Sequence, residues 1–136
     1  RPDNSFVAGF IGENNRLHGT IEDLKGDRAL VRLSTGELID ATPVNVAGKG
    51  QATLVSVRPE RVEFKPDLMP KGAHMLDAEV LEVIYMGDIL RARLRVAGAE
   101  DFVMKMRNTL GQTRLTQGEK IRVGWHPQDA RALDPA

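Results

Sequence analysis

The chain has 136 residues, 41% of them hydrophobic, with 19 Lys plus Arg balanced by 19 Asp plus Glu and no cysteine. This is enough for one ordinary domain or two very small ones and too apolar for a disordered chain. Zero net charge supplies no general field toward nucleic acid or an anionic membrane, and the lack of cysteine excludes a disulfide framework, thiolate metal sites and a thiol nucleophile.

Asn4 to Ile11 reads as a short helix capped by Asp3 or Asn4, with Phe6, Val7, Phe10 and Ile11 as an apolar stripe that Gly12 ends. From Arg16 the period changes to two. Turn signals at Lys25-Gly26-Asp27 and Ser34-Thr35-Gly36-Glu37 divide Arg16 to Ala41 into three short antiparallel strands. A fourth strand covers Ala52 to Val57, and Pro59, which has no backbone donor, ends it. Val62 to Phe64 reads as an edge piece, and 65–75, with two prolines and a glycine, as a linker or long loop.

A second unit opens at Leu76. Val80, Val83, Ile84 and Tyr85 lead to a Gly87-Asp88 turn, and in the following strand Arg91, Arg93 and Arg95 alternate with Leu90, Ala92, Leu94 and Val96, giving one solvated and one core face. Gly98 turns the chain into Phe102 to Met106, and Lys120 to Trp125 is the closing strand before Pro127. No apolar run approaches the roughly 20 residues of a spanning helix, and no signal peptide is visible.

The two units carry one pattern. Gly50, Val55, Val57, Arg58, Pro59 and Glu60 return 68 positions later as Gly118, Val123, Trp125, His126, Pro127 and Gln128, and Gly26-Asp27 returns as Gly87-Asp88. The expectation is an all-β protein, a barrel or sandwich built from two repeated antiparallel units, about 14–66 and 75–136, behind a short N-terminal helix. Only the first copy keeps Arg-Pro-Glu, which points to a contact carried by that copy, while the second is expected to close the core with Trp125.

The motifs offer little chemistry. Leu33-Ser34-Thr35-Gly36-Glu37 superficially matches a nucleotide-binding signature that needs a following helix, whereas Leu38-Ile39 predicts a strand. Gly48-Lys49-Gly50 lacks both the first glycine and the hydroxyl of a phosphate loop. His18, His74 and His126 stand far apart without carboxylates at ligand spacing, and Glu22-Asp23 and Glu79 with Glu82 read as solvated strand faces. One Trp, one Tyr and four Phe are too few for stacking single-stranded nucleic acid, so the arginine run predicts ion pairs with Glu79, Glu82 or a partner subunit.

Phe6-Val7-Ala8-Gly9-Phe10-Ile11-Gly12-Glu13-Asn14 resembles the last helix and exit segment of the nucleotide-binding domain of ABC importers. Val57-Arg58-Pro59-Glu60, Tyr85-Met86-Gly87-Asp88 and Gly118 to Trp125 resemble the C-terminal OB-like regulatory region, called TOBE, of ATPase subunits that drive polyamine, sugar and iron import. The stretch from Ala78 to Asn108 is most similar to the putrescine and spermidine branch. With no initiator methionine at Arg1, a piece of a longer chain is expected, 1–13 being the end of the preceding ATPase domain and 14–136 the regulatory domain.

The resemblance implies a module with no catalytic, cofactor or metal site of its own, ATP and Mg belonging to the preceding domain. It implies a homodimer, contact with that ATPase domain and through it with membrane permease subunits, no nucleic acid, and a place on the cytoplasmic face of the bacterial plasma membrane. The interface residues expected from the motifs are Arg58, Pro59, Glu60, Tyr85, Gly87, Asp88 and Trp125. The alternative is a small-molecule or oxyanion-binding barrel pair, since related barrels hold molybdate through a Ser-Ala-Arg-Asn string. Met106-Arg107-Asn108 here lacks the serine.

Overall fold

A computed structural model describes residues 13–64, 69, 73–108 and 113–135. The described residues are all-β, with strands β1 (Asn15–Lys25), β2 (Arg28–Leu33), β3 (Leu38–Pro43), β4 (Ala52–Val57), β5 (Leu76–Met86), β6 (Ile89–Val96), β7 (Ala99–Arg107), β8 (Lys120–Val123) and β9 (Ala130–Leu133). Single 3-10 turns lie at Pro59–Arg61 and Pro127–Asp129. The helix expected over Asn4 to Ile11 lies outside the described residues, as does most of the expected 65–75 linker.

The strands form an OB-like closed barrel in the order β1-β2-β3-β9-β4 and a curled four-stranded sheet in the order β7-β6-β5-β8. Alternation decides which face goes inward. On β6, Leu90, Ala92, Leu94 and Val96 are buried while the intervening arginines are half-buried or exposed, and on β2 Ala29, Val31 and Leu33 do the same. One core joins both units, with Leu17, Val31, Val55, Leu76, Leu94, Phe102 and Val123 among its members. Burying each Leu, Val or Phe contributes about 1.5–3 kcal/mol against chain entropy.

The duplication is visible in the backbone. Ile21 N–H donates to Gln51 O at 2.8 Å and Gly50 N–H to Ile21 O at 2.8 Å; their counterparts are Val80 N–H to Glu119 O at 2.9 Å and Gly118 N–H to Val80 O at 2.7 Å. Gly50 and Gly118 take φ of +84° and +90°, a region costly for any residue with a Cβ. The register of β1 shifts between Ile21 and Asp23, and that of β5 shifts at the equivalent place, between Val80 and Glu82.

The end of the chain departs from the sequence expectation. The second unit was expected to finish with a strand from Lys120 to Trp125, but β8 stops at Val123 and the chain forms a further strand, β9, in the first unit's barrel. There β9 runs antiparallel to β4 and parallel to β3. The exchange is reciprocal, because Glu63 of the first unit bridges Gly124 beyond β8. Moving that pair by the 68-residue repeat in opposite directions gives Arg131 and Ser56, which are partners in the β4–β9 ladder. Each unit therefore lends the segment after its Pro turn to the other.

Candidate functional site

The expected interface residues fall into two groups. Arg58, Pro59 and Glu60 stand at the exit of β4. Arg58 is extended (φ −75°, ψ 145°) and Pro59 opens the 3-10 turn. His126 repeats this conformation (φ −71°, ψ 139°) before Pro127. Pro fixes its own φ and pushes the preceding residue toward extended backbone, so two unrelated residues, Arg and His, adopt one geometry. Arg58 and Glu60 are exposed, whereas Pro59 is buried.

Tyr85, Gly87 and Asp88 form the second group, at the tip of the β5–β6 hairpin. Gly87 has φ +63° at the first of two turn positions between Met86 and Ile89, as in a type II′ turn. Ile84, Tyr85 and Met86 are 39%, 45% and 46% exposed, three of the four large apolar side chains so placed among the described residues. The matching β1–β2 tip is Lys25-Gly26-Asp27-Arg28. The second unit's hairpin thus ends in an apolar knob where the first ends in charges. Tyr85 Oη is not wholly free, accepting from Leu115 N–H at 3.3 Å.

The structure does not bring the two groups together. The Pro59 turn packs on β7, close to where Asn15 bonds Val103, and Asp88 meets Arg107 at the strand's end, at 3.4 Å. Four residues of strand separate Val103 from Arg107, roughly 13 Å. Trp125 belongs to neither group: it is 5% exposed and stacks on Phe102 with ring centroids 5.7 Å apart and planes at 26°. It is a core side chain, because the chain bends inward after β8 before the Pro127 turn.

The arginine run is ion-paired within the chain. Arg95 reaches Glu79 at 2.6 Å and Glu100 at 3.0 Å, and Arg93 reaches Glu82 at 3.4 Å. Arg91 pairs with Glu13, which Lys105 also reaches at 3.4 Å. Partial burial raises the Glu13 carboxyl, but the hydrogen bonds and charges of Arg91 and Lys105 outweigh it and hold the group below its ordinary value.

The barrel carries a different set of arginines, which sequence reading missed apart from Arg58. Arg16 and Arg131 flank Ser56 across β1, β4 and β9, sharing one face because directly opposite residues do. Ser56, Arg58, Arg61 and Arg131 line an open cleft of about 560 Å³ with Asp129 and Leu133. None of these arginines forms an ion pair among the described residues. Arg58 and Arg131 lie 73 positions apart in the chain, so no local motif announces it.

Among the described residues no group of three His, Asp or Glu side chains is placed to hold a metal ion, and no helix is long and apolar enough to cross a membrane. Arg107 is engaged by Asp88, and the Asn108 amide spans Thr113, donating to its carbonyl at 3.1 Å and accepting from its N–H at 3.0 Å. The Met106-Arg107-Asn108 string is therefore occupied by its own loop.

Two OB-like β units that exchange strands, with no helical nucleotide-binding layer among the described residues, define the class of small paired β-barrel modules. The profile of the TOBE domain matches residues 55–133, from within β4 to the end of β9, and the chain belongs to that family. It is 35% identical over 132 residues to the spermidine/putrescine import ATP-binding protein PotA of Rubrobacter xylanophilus, covering 96% of this chain and 33% of that protein. The protein of the same name from Ruegeria pomeroyi is 29% identical over 133 residues, covering 97% of this chain and 35% of that one. The chain spans about a third of the length of these relatives. Among solved structures, the cytoplasmic molybdate-binding protein ModG, with molybdate bound, superimposes with a TM-score of 0.74 at 14% identity, over 89% of this chain and 96% of that one. At that identity the likeness is one of fold.

Proposed function

We propose that this chain is the C-terminal regulatory and dimerisation domain of the ATP-binding subunit of an ABC importer, of the polyamine branch. The observation that carries the proposal is similarity over nearly the whole chain to spermidine/putrescine import ATP-binding proteins, of which it spans about a third. The domain holds no catalytic group; ATP and Mg belong to the rest of the subunit, which meets the permease subunits at the cytoplasmic face of the membrane. Its contribution is mechanical. A nucleotide-independent contact between two copies keeps the ATPase domains at high effective concentration while they close on ATP and reopen after hydrolysis. The exposed apolar tip at Ile84, Tyr85 and Met86 supports a contact there, since exposed apolar clusters of this kind mark association surfaces.

The test compares the complete subunit with one lacking residues 15–133. Removal is expected to lower the dimer fraction without nucleotide while nucleotide affinity per subunit stays within about twofold. Loss of nucleotide binding itself would overturn the assignment. Oxyanion storage, the alternative reading, has only likeness of fold behind it, since Asn108 and Arg107 are engaged within the chain.

A further inference from the structure

We infer that the cleft between the two Pro turns is a binding site for a compact polyanion, a molecule carrying two or more phosphate or carboxylate groups. Arg58, Arg61 and Arg131 line it with Ser56, and Asp129 is the single acidic residue among the described lining, so these described residues carry a local charge of +2 on a chain whose net charge is 0. A guanidinium left without an ion pair beside two others is electrostatically unfavourable, and an anion that accepts from several forks at once relieves it. The contrast with the other sheet is informative. There Arg91, Arg93 and Arg95 each meet a glutamate, whereas Arg58, Arg61 and Arg131 have no such partner among the described residues.

Nor does duplication explain the cluster. The repeat partners of Arg58 and Arg131 are His126 and Glu63, which would not recreate it. A smaller pocket between Ile39 and Asp40 of β3 and Trp125 and Pro127 of the second unit has about 20 Å³ and is bordered by the His74–Asp40 pair at 3.1 Å.

Size and lining define the ligand class. About 560 Å³, open to solvent, is far more than one tetrahedral oxyanion fills, and three separate guanidinium groups match separate anionic groups. Among the described residues the lining holds one apolar side chain, Leu133, and no aromatic ring, a lining that suits charged groups better than a nucleobase. A cationic polyamine would be repelled.

Isothermal titration at low salt with pyrophosphate, triphosphate, citrate, molybdate and spermidine tests the site. Pyrophosphate or triphosphate is expected to bind if phosphate is the preferred group, and citrate if carboxylate is, with binding weakened by added salt. The double substitution R58Q/R131Q should weaken binding about tenfold or more, while R28Q, which removes an arginine on the distant β1–β2 tip, should change it less than twofold. D129N should tighten it. All three variants alter exposed or half-buried side chains, and unchanged circular dichroism and Tm would establish that they fold. Failure of all three polyanions to bind, equal binding by molybdate, or equal loss in R28Q would overturn the proposal. None of these outcomes bears on dimerisation, so the two proposals fail separately.

Discussion

The side chain of Asn15, on the first strand of the barrel, holds the backbone of Val103, on the edge strand of the curled sheet. Its Nδ2 donates to the Val103 carbonyl and its Oδ1 accepts from the Val103 N–H, both at 2.7 Å. Asn15 is 3% exposed, so these bonds form away from water. The amide acts as a one-residue strand on the open edge of β7 and ties the units together. Asn15→Ala would strand a buried donor and acceptor, with an expected loss of about 2–4 kcal/mol in urea unfolding. A loss under about 0.5 kcal/mol would mean that water replaces the clamp.

Trp125 and Phe102 join the second unit's end to the same strand. Phe102→Ala should cost about 3–5 kcal/mol. Trp125 is the chain's one tryptophan, so its emission should shift to the red as its stacking partner disappears. Unchanged emission would show that Trp125 is shielded without Phe102.

Gly19 lies where β1 crosses β2. A Cβ there would sit 2.7 Å from the Arg32 carbonyl oxygen and 2.7 Å from Val31 Cγ1. Backbone cannot swing aside as a flexible side chain does, so Gly19→Ala should lower stability by about 1–3 kcal/mol. Thermal unfolding measures this, and an unchanged Tm would show that the barrel yields.

Glu13 supplies a pH dependence whose sign is fixed. Its carboxyl titrates below the ordinary 4.5 through Arg91 and Lys105, against the raising effect of burial. The folded state therefore binds its proton less tightly than the unfolded chain. The resulting stabilisation is complete above pH 4.5 and is lost as pH falls through the lower folded value. Glu13→Gln should reduce stability at pH 7 and flatten its fall in acid. An identical slope in the variant would assign the acid loss elsewhere.

Local pattern made much of this fold legible. The period-two alternation of Arg91, Arg93 and Arg95 against Leu90, Ala92 and Leu94 is the alternation seen in β6, and Gly26 and Gly87 mark its two equivalent hairpin turns. The repeat at Gly50 and Gly118 survives as matched hydrogen bonds. Strand β9 was not legible: Ala130-Arg131-Ala132-Leu133 is too short and too alanine-rich to carry a β signal alone. It becomes a strand because β3 and β4 leave an open slot in the barrel. The repeat held the clue, since Val62 to Phe64, read as an edge piece, is its counterpart. Trp125 carries a related lesson: the motif gives its position along the chain, but its burial is completed by Phe102, 23 residues away. The arginine cleft is assembled by the same strand exchange, which puts Arg131 beside Ser56.

Two chains joined at the β5–β6 tips should separate when the tip becomes charged. Ile84 and Met86 are exposed, so I84D/M86D should change unfolding free energy by less than about 0.5 kcal/mol. Sedimentation equilibrium of the 136-residue chain, from micromolar to millimolar concentration, is the most direct measurement. A monomer–dimer equilibrium that I84D/M86D shifts toward monomer is expected. A strict monomer throughout would contradict the dimerisation role, and a dimer indifferent to the substitution would move the contact away from this tip.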